Sequence, residues 1–269
     1  MLLAIDIGNT NVVLACTGAG LAASSDRPPI WRLETDAGKD STDYASAIRD
    51  LLGADRCTAV TGAIIASVVP ALTTVIRDAV AIATGHVPLL VGDEGVDLGI
   101  DINIDEPAQA GADRLVNAVG AQAHHQLPAI VLDFGTATTL DLVGVDGAYE
   151  GGIIAPGVAL SIDALEAAAA QLPRLALREF GADLPILGKN TVSAMESGIF
   201  WGYVSMIEGL LARLRADYGD VSMIATGGLA GLFSGHLSGI NAVDPDLTVK
   251  GLFEIYARNS SAAARAQDG

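Results

Sequence analysis

A short apolar run that ends in Asp-x-Gly and breaks into a polar turn occurs twice in this chain. The first copy is Leu2–Ile7 running into Asp6-Ile7-Gly8-Asn9-Thr10, with a second apolar run at 12–16. The second copy is the run at 129–132, then Asp133-Phe134-Gly135-Thr136, then a run at 138–143. Each reads as a buried strand, a tight turn and a returning strand. The copies stand about half the chain apart, and both sit at the end of a strand and the start of a hairpin. That placement predicts a duplicated α/β domain. A chain of 269 residues is long enough for two modest cores.

The remaining pattern suits that reading. Residues 22–29 form a Ser/Pro-rich loop before a strand at 31–33, and 42–52 read as an amphipathic helix with a Thr or Ser cap. A strand at 63–68 leads to a helix opened by Pro70. Residues 93–107 are acidic and read as loop. Later come helices at 160–170 and 191–214, the second with Thr191 as its cap, and a strand at 221–225 entering Thr226-Gly227-Gly228. A terminal helix is expected at 248–258 and a frayed tail at 259–269.

Composition narrows the partners. The formal net charge is −17, from 32 acids and 15 bases, which speaks against nucleic acid and anionic membranes. The bases are uneven: Arg114 stands alone among 14 acids between Arg77 and Arg174. Cys16 and Cys57 give neither a disulfide framework nor metal-type spacing, and suit a reducing compartment. The first residues lack the basic stretch of a signal peptide. Residues 57–76 carry no charge, yet their Thr, Ser, Gly and Pro content reads as strand and helix and not as a membrane span. The expected setting is cytoplasmic.

Gly8 at a hairpin tip lets backbone approach a ligand closely, and Asn9, Thr10 and Asn11 add donors suited to phosphate oxygens. Asp6 could hold a hydrated Mg²⁺ that bridges those phosphates. A plain hairpin carries the same Gly-Asn pair, so both readings stand at this point. Gly135-Thr136-Ala137-Thr138-Thr139 repeats the composition, and Thr226-Gly227-Gly228-Leu229 is a third Gly-rich turn that would admit a flat adenine. On composition alone, Arg114 reads first as one half of an ordinary ion pair with an acidic neighbour.

Taken together, these segments resemble the actin/sugar-kinase/Hsp70 superfamily, and more closely the type III pantothenate kinases, over nearly the whole chain. The matching stretches are Asp6-Ile-Gly-Asn-Thr-Asn-Val-Val13, Ala66-Ser-Val-Val-Pro70, Gly111-Ala-Asp-Arg114, Asp133-Phe-Gly-Thr-Ala-Thr-Thr139 and Gly151-Gly-Ile-Ile-Ala-Pro-Gly157. Gly188-Lys-Asn-Thr191, Ser197-Gly-Ile-Phe-Trp-Gly-Tyr203 and Ala225-Thr-Gly-Gly-Leu229 complete them.

The resemblance implies an α/β fold of two duplicated actin/ribonuclease-H-like domains, residues 1–113 and 114–269, with a nucleotide cleft between them. The C-terminal helix is free to pack back on the first domain. The implied reaction is ATP-dependent phosphorylation of pantothenate to 4′-phosphopantothenate, the first step of coenzyme A biosynthesis. Asp113 would be the general base. ATP would be bound by Asp6, Ile7, Gly8, Asn9, Thr10, Asn11, Val12, Val13 and Thr136, with Mg²⁺ on Asp6 through water. Gly111, Ala112, Asp113, Arg114 and Thr191 would bind pantothenate, the Arg114 fork meeting its carboxylate. Asp133 would hold a monovalent cation, K⁺ or NH₄⁺.

A homodimer is implied too, and the uncharged helix stretches 115–125 and 197–207 would suit its face. Ile104 stands where many family members carry a Tyr that lines the substrate pocket. The other readings are a catalytically silent regulatory or transcription-accessory relative, and an ATPase-driven clamp without an acceptor.

Overall fold

The computed structural model describes residues 1–17, 27–168, 173, 175 and 184–267. Contacts gather the chain into two compact units, Met1–His125 with Asp246–Gly269, and Gln126–Pro245.

In the first unit, strands β1 (Leu2–Ile7), β2 (Asn11–Cys16), β3 (Ile30–Glu34), β4 (Gly62–Ser67) and β5 (Leu89–Leu90) form a sheet of order β3-β2-β1-β4-β5. β1 pairs antiparallel with β2 and parallel with β4. Its side chains alternate between two apolar layers, as the period of a strand buried on both faces requires. Leu3, Ile5 and Ile7 enter a core with Tyr44, Ile48, Leu72 and Ile76, from helices α1 (Ser41–Leu52) and α3 (Pro70–Thr84). Ala4 turns to the opposite core, with Val116 of α4 (Ala112–His124) and Leu252 and Ile255 of the terminal helix (Leu247–Gln267). A short helix α2 (Ala54–Ala59) follows α1. Glycines let the two helices of the second layer meet closely: a Cβ on Gly251 would strike the Val116 carbonyl, and one on Gly120 would lie 2.7 Å from the Leu247 carbonyl oxygen.

The second unit repeats this topology. Strands β6 (Ala129–Phe134), β7 (Ala137–Val143), β8 (Tyr149–Pro156), β9 (Ser222–Thr226) and β10 (Ala242–Val243) run in the order β8-β7-β6-β9-β10. β6 pairs antiparallel with β7 and parallel with β9, just as β1 pairs with β2 and β4. Ile130, Leu132 and Phe134 face helix α6 (Thr191–Tyr218) through Phe200, Val204 and Ile207. Phe233, on the short helix α7 (Ala230–Phe233), stacks on Phe134 with ring centroids 5.6 Å apart. Helix α5 (Val158–Ala168) follows β8, and the terminal helix is α8.

The predicted duplication is therefore present as two sheets of one strand order. Several local expectations differ from the structure. The cap of α1 is Asp40, in a capping box with Asp43, because a carboxylate there accepts from the Thr42 and Asp43 amides. The cap of α6 is Asn190, paired with Ser193, and Thr191 is the first helical residue. α8 continues to Gln267, well past the expected end at 258. The position 113/114, expected as a domain boundary, falls inside α4, which packs with the first unit as α8 does.

Of the two stretches offered as a dimer face, 115–125 is covered over most of its length. Leu115 through Ala121 are buried within the first unit, against its sheet and α8. Residues 22–26 of the Ser/Pro-rich loop, and the end of the helix expected at 160–170, lie outside the described residues.

Cys16 and Cys57 are free and buried, and burial pushes the Cys16 thiol up to about 12. Among the described residues no helix is long and apolar enough to cross a membrane.

Candidate functional site

The turn after β1 is built from exposed polar residues on a buried base. Ile7 and Val12 face each other as the last sheet pair, both buried, and Gly8, Asn9, Thr10 and Asn11 span them. The Gly8 amide donates to the Asn11 carbonyl at 3.0 Å. A Cβ on Gly8 would lie 3.2 Å from that same oxygen, so glycine keeps the turn tight. Asn9, Thr10 and Asn11 are exposed. Because the side chains of Ile7 and Val12 are spent in the core, a ligand can meet these two residues only through their backbone. Asp6 is half-buried and shares the strand face of Ala4, the face on which α4 packs.

The turn after β6 is a shorter version. Gly135, Thr136 and Ala137 span the Phe134–Thr138 pair, one residue fewer than in the first turn. The Gly135 amide donates to the Ala137 carbonyl at 3.1 Å, and a Cβ on Gly135 would stand 3.2 Å from it. Thr136 is exposed and Asp133 half-buried. Gly227, in the turn after β9, has φ +89°, and a Cβ there would strike Asp133 Oδ1 and lie 2.7 Å from the Phe134 amide nitrogen. The third Gly-rich turn thus leaves a cradle at the Asp133 carboxylate that any side chain would fill. Nearby, Thr138 Oγ1 and Tyr203 OH share a hydrogen bond. Burial pushes the Tyr203 phenol up to about 12, with the Asp133 charge adding to the rise and the Thr138 bond opposing it.

A cavity in the first unit joins two sequence motifs. Ser67, Val68 and Pro70, at the end of β4 and the start of α3, form one wall, and Gly111, Ala112 and Leu115 form another. Val91 and Leu98 close it with apolar surface, and Ile104 is not part of this lining. β4 lies beside β1, with Ile7 opposite Ser67 and the Val68 amide donating to the Ile7 carbonyl at 3.1 Å. The cavity and the first turn therefore occupy the same end of one sheet.

Asp113 and Arg114 lie in the first turn of α4, between the lining residues Ala112 and Leu115. The Asp113 carboxylate folds back to accept from the Arg114 amide at 2.8 Å, a placement favoured by the helix N-terminus. Gly111 makes this possible, since a Cβ on it would come within 2.6 Å of Asp113 Oδ1. Composition had singled out Arg114 without a neighbourhood; the fold puts it in a helical turn whose Ala112 and Leu115 line an apolar pocket at a strand end.

In the second unit, Thr191 is exposed at the start of α6 and lines an open cavity of about 780 Å³ with Gly188, Lys189, Ala194 and Met195. Thus Asp6–Val13, Gly111, Ala112, Asp113 and Arg114 fall in the first unit, and Asp133, Thr136 and Thr191 in the second. Among the described residues no group of three or more His, Cys, Asp or Glu could hold a metal ion. A divalent ion at Asp6 would then need oxygen ligands from elsewhere, as a hard cation carried by a triphosphate has.

Two residues that touch the turns were not legible as such in the sequence. Thr35 Oγ1 donates to the Gly8 carbonyl at 2.7 Å, and the Thr35 amide donates to the Thr10 carbonyl at 3.1 Å. Gly157 lies against the second turn so closely that a Cβ would strike the Thr136 carbonyl and lie 2.9 Å from the Gly135 oxygen. Only strand register could have pointed to them.

The sequence profile described as type III pantothenate kinase matches residues 2–213. A type III pantothenate kinase from Paramagnetospirillum magneticum is 48% identical over 265 residues, covering 97% of this chain and 98% of that protein. One from Caulobacter vibrioides is 47% identical over 266 residues, covering 97% and 99%. Among solved structures, a Campylobacter jejuni protein placed in the Baf transcriptional-activator family aligns with a TM-score of 0.60 at 16% identity, over 96% of this chain and 99% of that one. The Clostridium difficile activator of 2-hydroxyisocaproyl-CoA dehydratase, determined with bound ADPNP, aligns with a TM-score of 0.55 at 10% identity, over 99% and 97%. At these identities the two structures speak for the fold alone, the duplicated actin/ribonuclease-H-like one.

Proposed function

The chain belongs to the type III pantothenate kinase family, and we propose how its residues share the phosphorylation of pantothenate by ATP. The product is 4′-phosphopantothenate, at the first step of coenzyme A biosynthesis. The observation that carries the residue assignment is the first unit's cavity, lined by Ala112 and Leu115 on either side of Asp113 and Arg114 in the chain.

In this reading the Arg114 guanidinium binds the pantothenate carboxylate, and Thr191 adds a hydroxyl contact. The apolar walls at Val91 and Leu98 suit the substrate's gem-dimethyl group. Asp113 accepts the proton of the primary hydroxyl as that oxygen forms its bond to the γ-phosphorus. The bond from phosphorus to the β–γ bridging oxygen breaks, and ADP leaves with that electron pair. Such transfers pass through a loose transition state, so alignment and charge neutralisation outweigh base strength. Gly8 to Asn11 and Thr136 hold the triphosphate through backbone amides and short polar side chains.

Asp6 fits a water-mediated contact to Mg²⁺, and Asp133 with its glycine-lined cradle fits K⁺ or NH₄⁺. When bound, these cations neutralise phosphate charge that an acidic chain with few bases near its turns leaves unbalanced. We assign the protein to the cytoplasm, with ATP and pantothenate as partners and neither nucleic acid nor membrane. A homodimer through 197–207 has support in Gly198 and Gly202, which stand one helical turn apart on α6, where among the described residues nothing would meet an added side chain within 4 Å.

The test is ADP release with and without pantothenate, in K⁺ and then in Na⁺ buffer. Release that needs pantothenate and falls in Na⁺ is expected. Pantothenate-independent turnover would favour an ATPase clamp, and no turnover a silent relative.

A further inference from the structure

We propose that Thr35, the residue that follows β3, is a positioning residue for ATP. The proposal rests on reading Gly8 to Asn11 as the phosphate-binding turn, and it adds a residue from outside that turn.

The argument begins with register. Asn11 pairs with Glu34 at the end of the β2–β3 ladder, so the next step sets Thr10 opposite Thr35. The Thr35 amide donates to the Thr10 carbonyl, as an extended ladder would. The side-chain bond is a separate matter: Thr35 Oγ1 reaches past Thr10 to the Gly8 carbonyl at 2.7 Å. A trans peptide points its carbonyl and the following N–H to opposite sides. Holding the Gly8 carbonyl on the β3 side therefore aims the Asn9 N–H away from β3, and Asn9 is the first exposed residue of the turn.

Without the hydroxyl, the Gly8–Asn9 peptide plane has freedom to rotate, because glycine accepts most backbone angles. Order in that plane would then have to be gained on binding, at a cost in affinity. Thr35 itself is half-buried beside the turn and belongs to none of the residues assigned to pantothenate.

Thr35→Val removes the hydroxyl and keeps both the shape and the backbone bond to Thr10, and Thr35→Ser keeps both bonds. One hydrogen bond is worth roughly 0.5–1.5 kcal/mol, or about 2- to 12-fold in an equilibrium constant. The expected result is that Thr35→Val weakens ATP binding by about that factor, measured by calorimetry without pantothenate. KM for ATP should rise in parallel, KM for pantothenate should stay, and Thr35→Ser should restore ATP binding.

The proposal is overturned if Thr35→Val binds ATP as the parent does, or if Thr35→Ser is as weak as Thr35→Val. A fall in melting temperature with both KM values raised would also overturn it, marking Thr35 as a residue of the fold. Gly8→Ala separates this proposal from the reading beneath it. If Gly8→Ala weakens ATP binding and Thr35→Val does not, only the role of Thr35 falls. If neither does, the turn is not the phosphate site, and both fall.

Discussion

The turns after β1 and β6 share a topology, an Asp-x-Gly start and an inward amide bond from glycine, yet they are braced by different means. In the first, the residue after the third strand of its sheet is Thr35, which reaches the turn with a hydroxyl and an amide. In the second, the register places Gly157 after β8 opposite Thr136, and the two backbones meet at a distance that excludes any side chain. The first turn is one residue longer and its carbonyls need a partner; the second is shorter and is held by contact. The duplication preserved the framework and left each copy free to solve its own bracing. A hydroxyl brace can be trimmed with graded loss. A steric brace fails as soon as an atom is added.

Substitutions can break or sharpen this contrast, and Asp113→Asn calibrates it, because Asp113 belongs to neither turn. It should lower kcat by about 10²- to 10⁴-fold, the usual contribution of a general base, with the ATP dissociation constant unchanged. Quenched-flow measurement of phosphopantothenate formation beside ATP calorimetry checks this, and a normal kcat would remove Asp113 from the base role.

Gly157→Ala comes next. The three atoms nearest its Cβ would be backbone of Thr136 and Gly135, so the turn itself must move. Overpacking of this kind costs about 1–3 kcal/mol, so both melting temperature and kcat/KM should fall, the latter roughly 10- to 100-fold. If Gly157→Ala proves as mild as Thr35→Val, the contrast between the two braces is wrong.

Asp133→Asn should lower the rate in K⁺ by roughly tenfold and abolish the difference between K⁺ and Na⁺, since a full carboxylate charge is what a cation would meet. A retained K⁺ preference would place the cation elsewhere.

The last effect is read on stability and not on rate, and concerns Tyr203, whose hydroxyl bonds to Thr138 behind the second turn. Tyrosine ordinarily loses its proton near 10, and in this fold near 12. The raised value means that the fold favours the protonated phenol. Its contribution is whole below about pH 10 and disappears as the pH rises towards 12. Thr138 and Asp133 act on it from β7 and β6 in opposite senses. In alkaline denaturant titrations the stability difference between parent and Tyr203→Phe should therefore shrink across that window, by on the order of 2 kcal/mol. A constant difference would count against a buried, protonated Tyr203.

Much of the framework was legible in the chain. Periodicity placed β1, β2, β4, β6, β7 and β9 within a residue or two, and Pro70 opened its helix as expected. The helix caps were misread for a plain reason. Thr191 and Ser41 are good cap types, but Asn190 and Asp40 precede them and offer a stronger acceptor to the same amides. Of the candidate site, Gly8, Asn9, Thr10, Asp113 and Arg114 could be singled out by residue type and resemblance. Thr35 could not, because nothing local distinguishes a threonine beyond a strand, and Gly157 stood in a matching stretch with no sign that it meets the second turn. The same holds for the apolar face of α4, whose uncharged stretch reads as a free surface until α8 is seen to cover it.

What the sequence determined by itself was the repeated strand–turn unit, the chemistry carried at each turn, and the family. These are properties of short segments, set by side-chain period, glycine and the order of polar residues. What only the tertiary structure decided was which distant residues meet those segments: Thr35 on Gly8, Gly157 on Thr136, Gly227 on Asp133, and the end of β4 on the Gly111–Leu115 wall. Each meeting depends on strand register and layer packing, which belong to the whole sheet. No window of sequence contains the free energy that selects them.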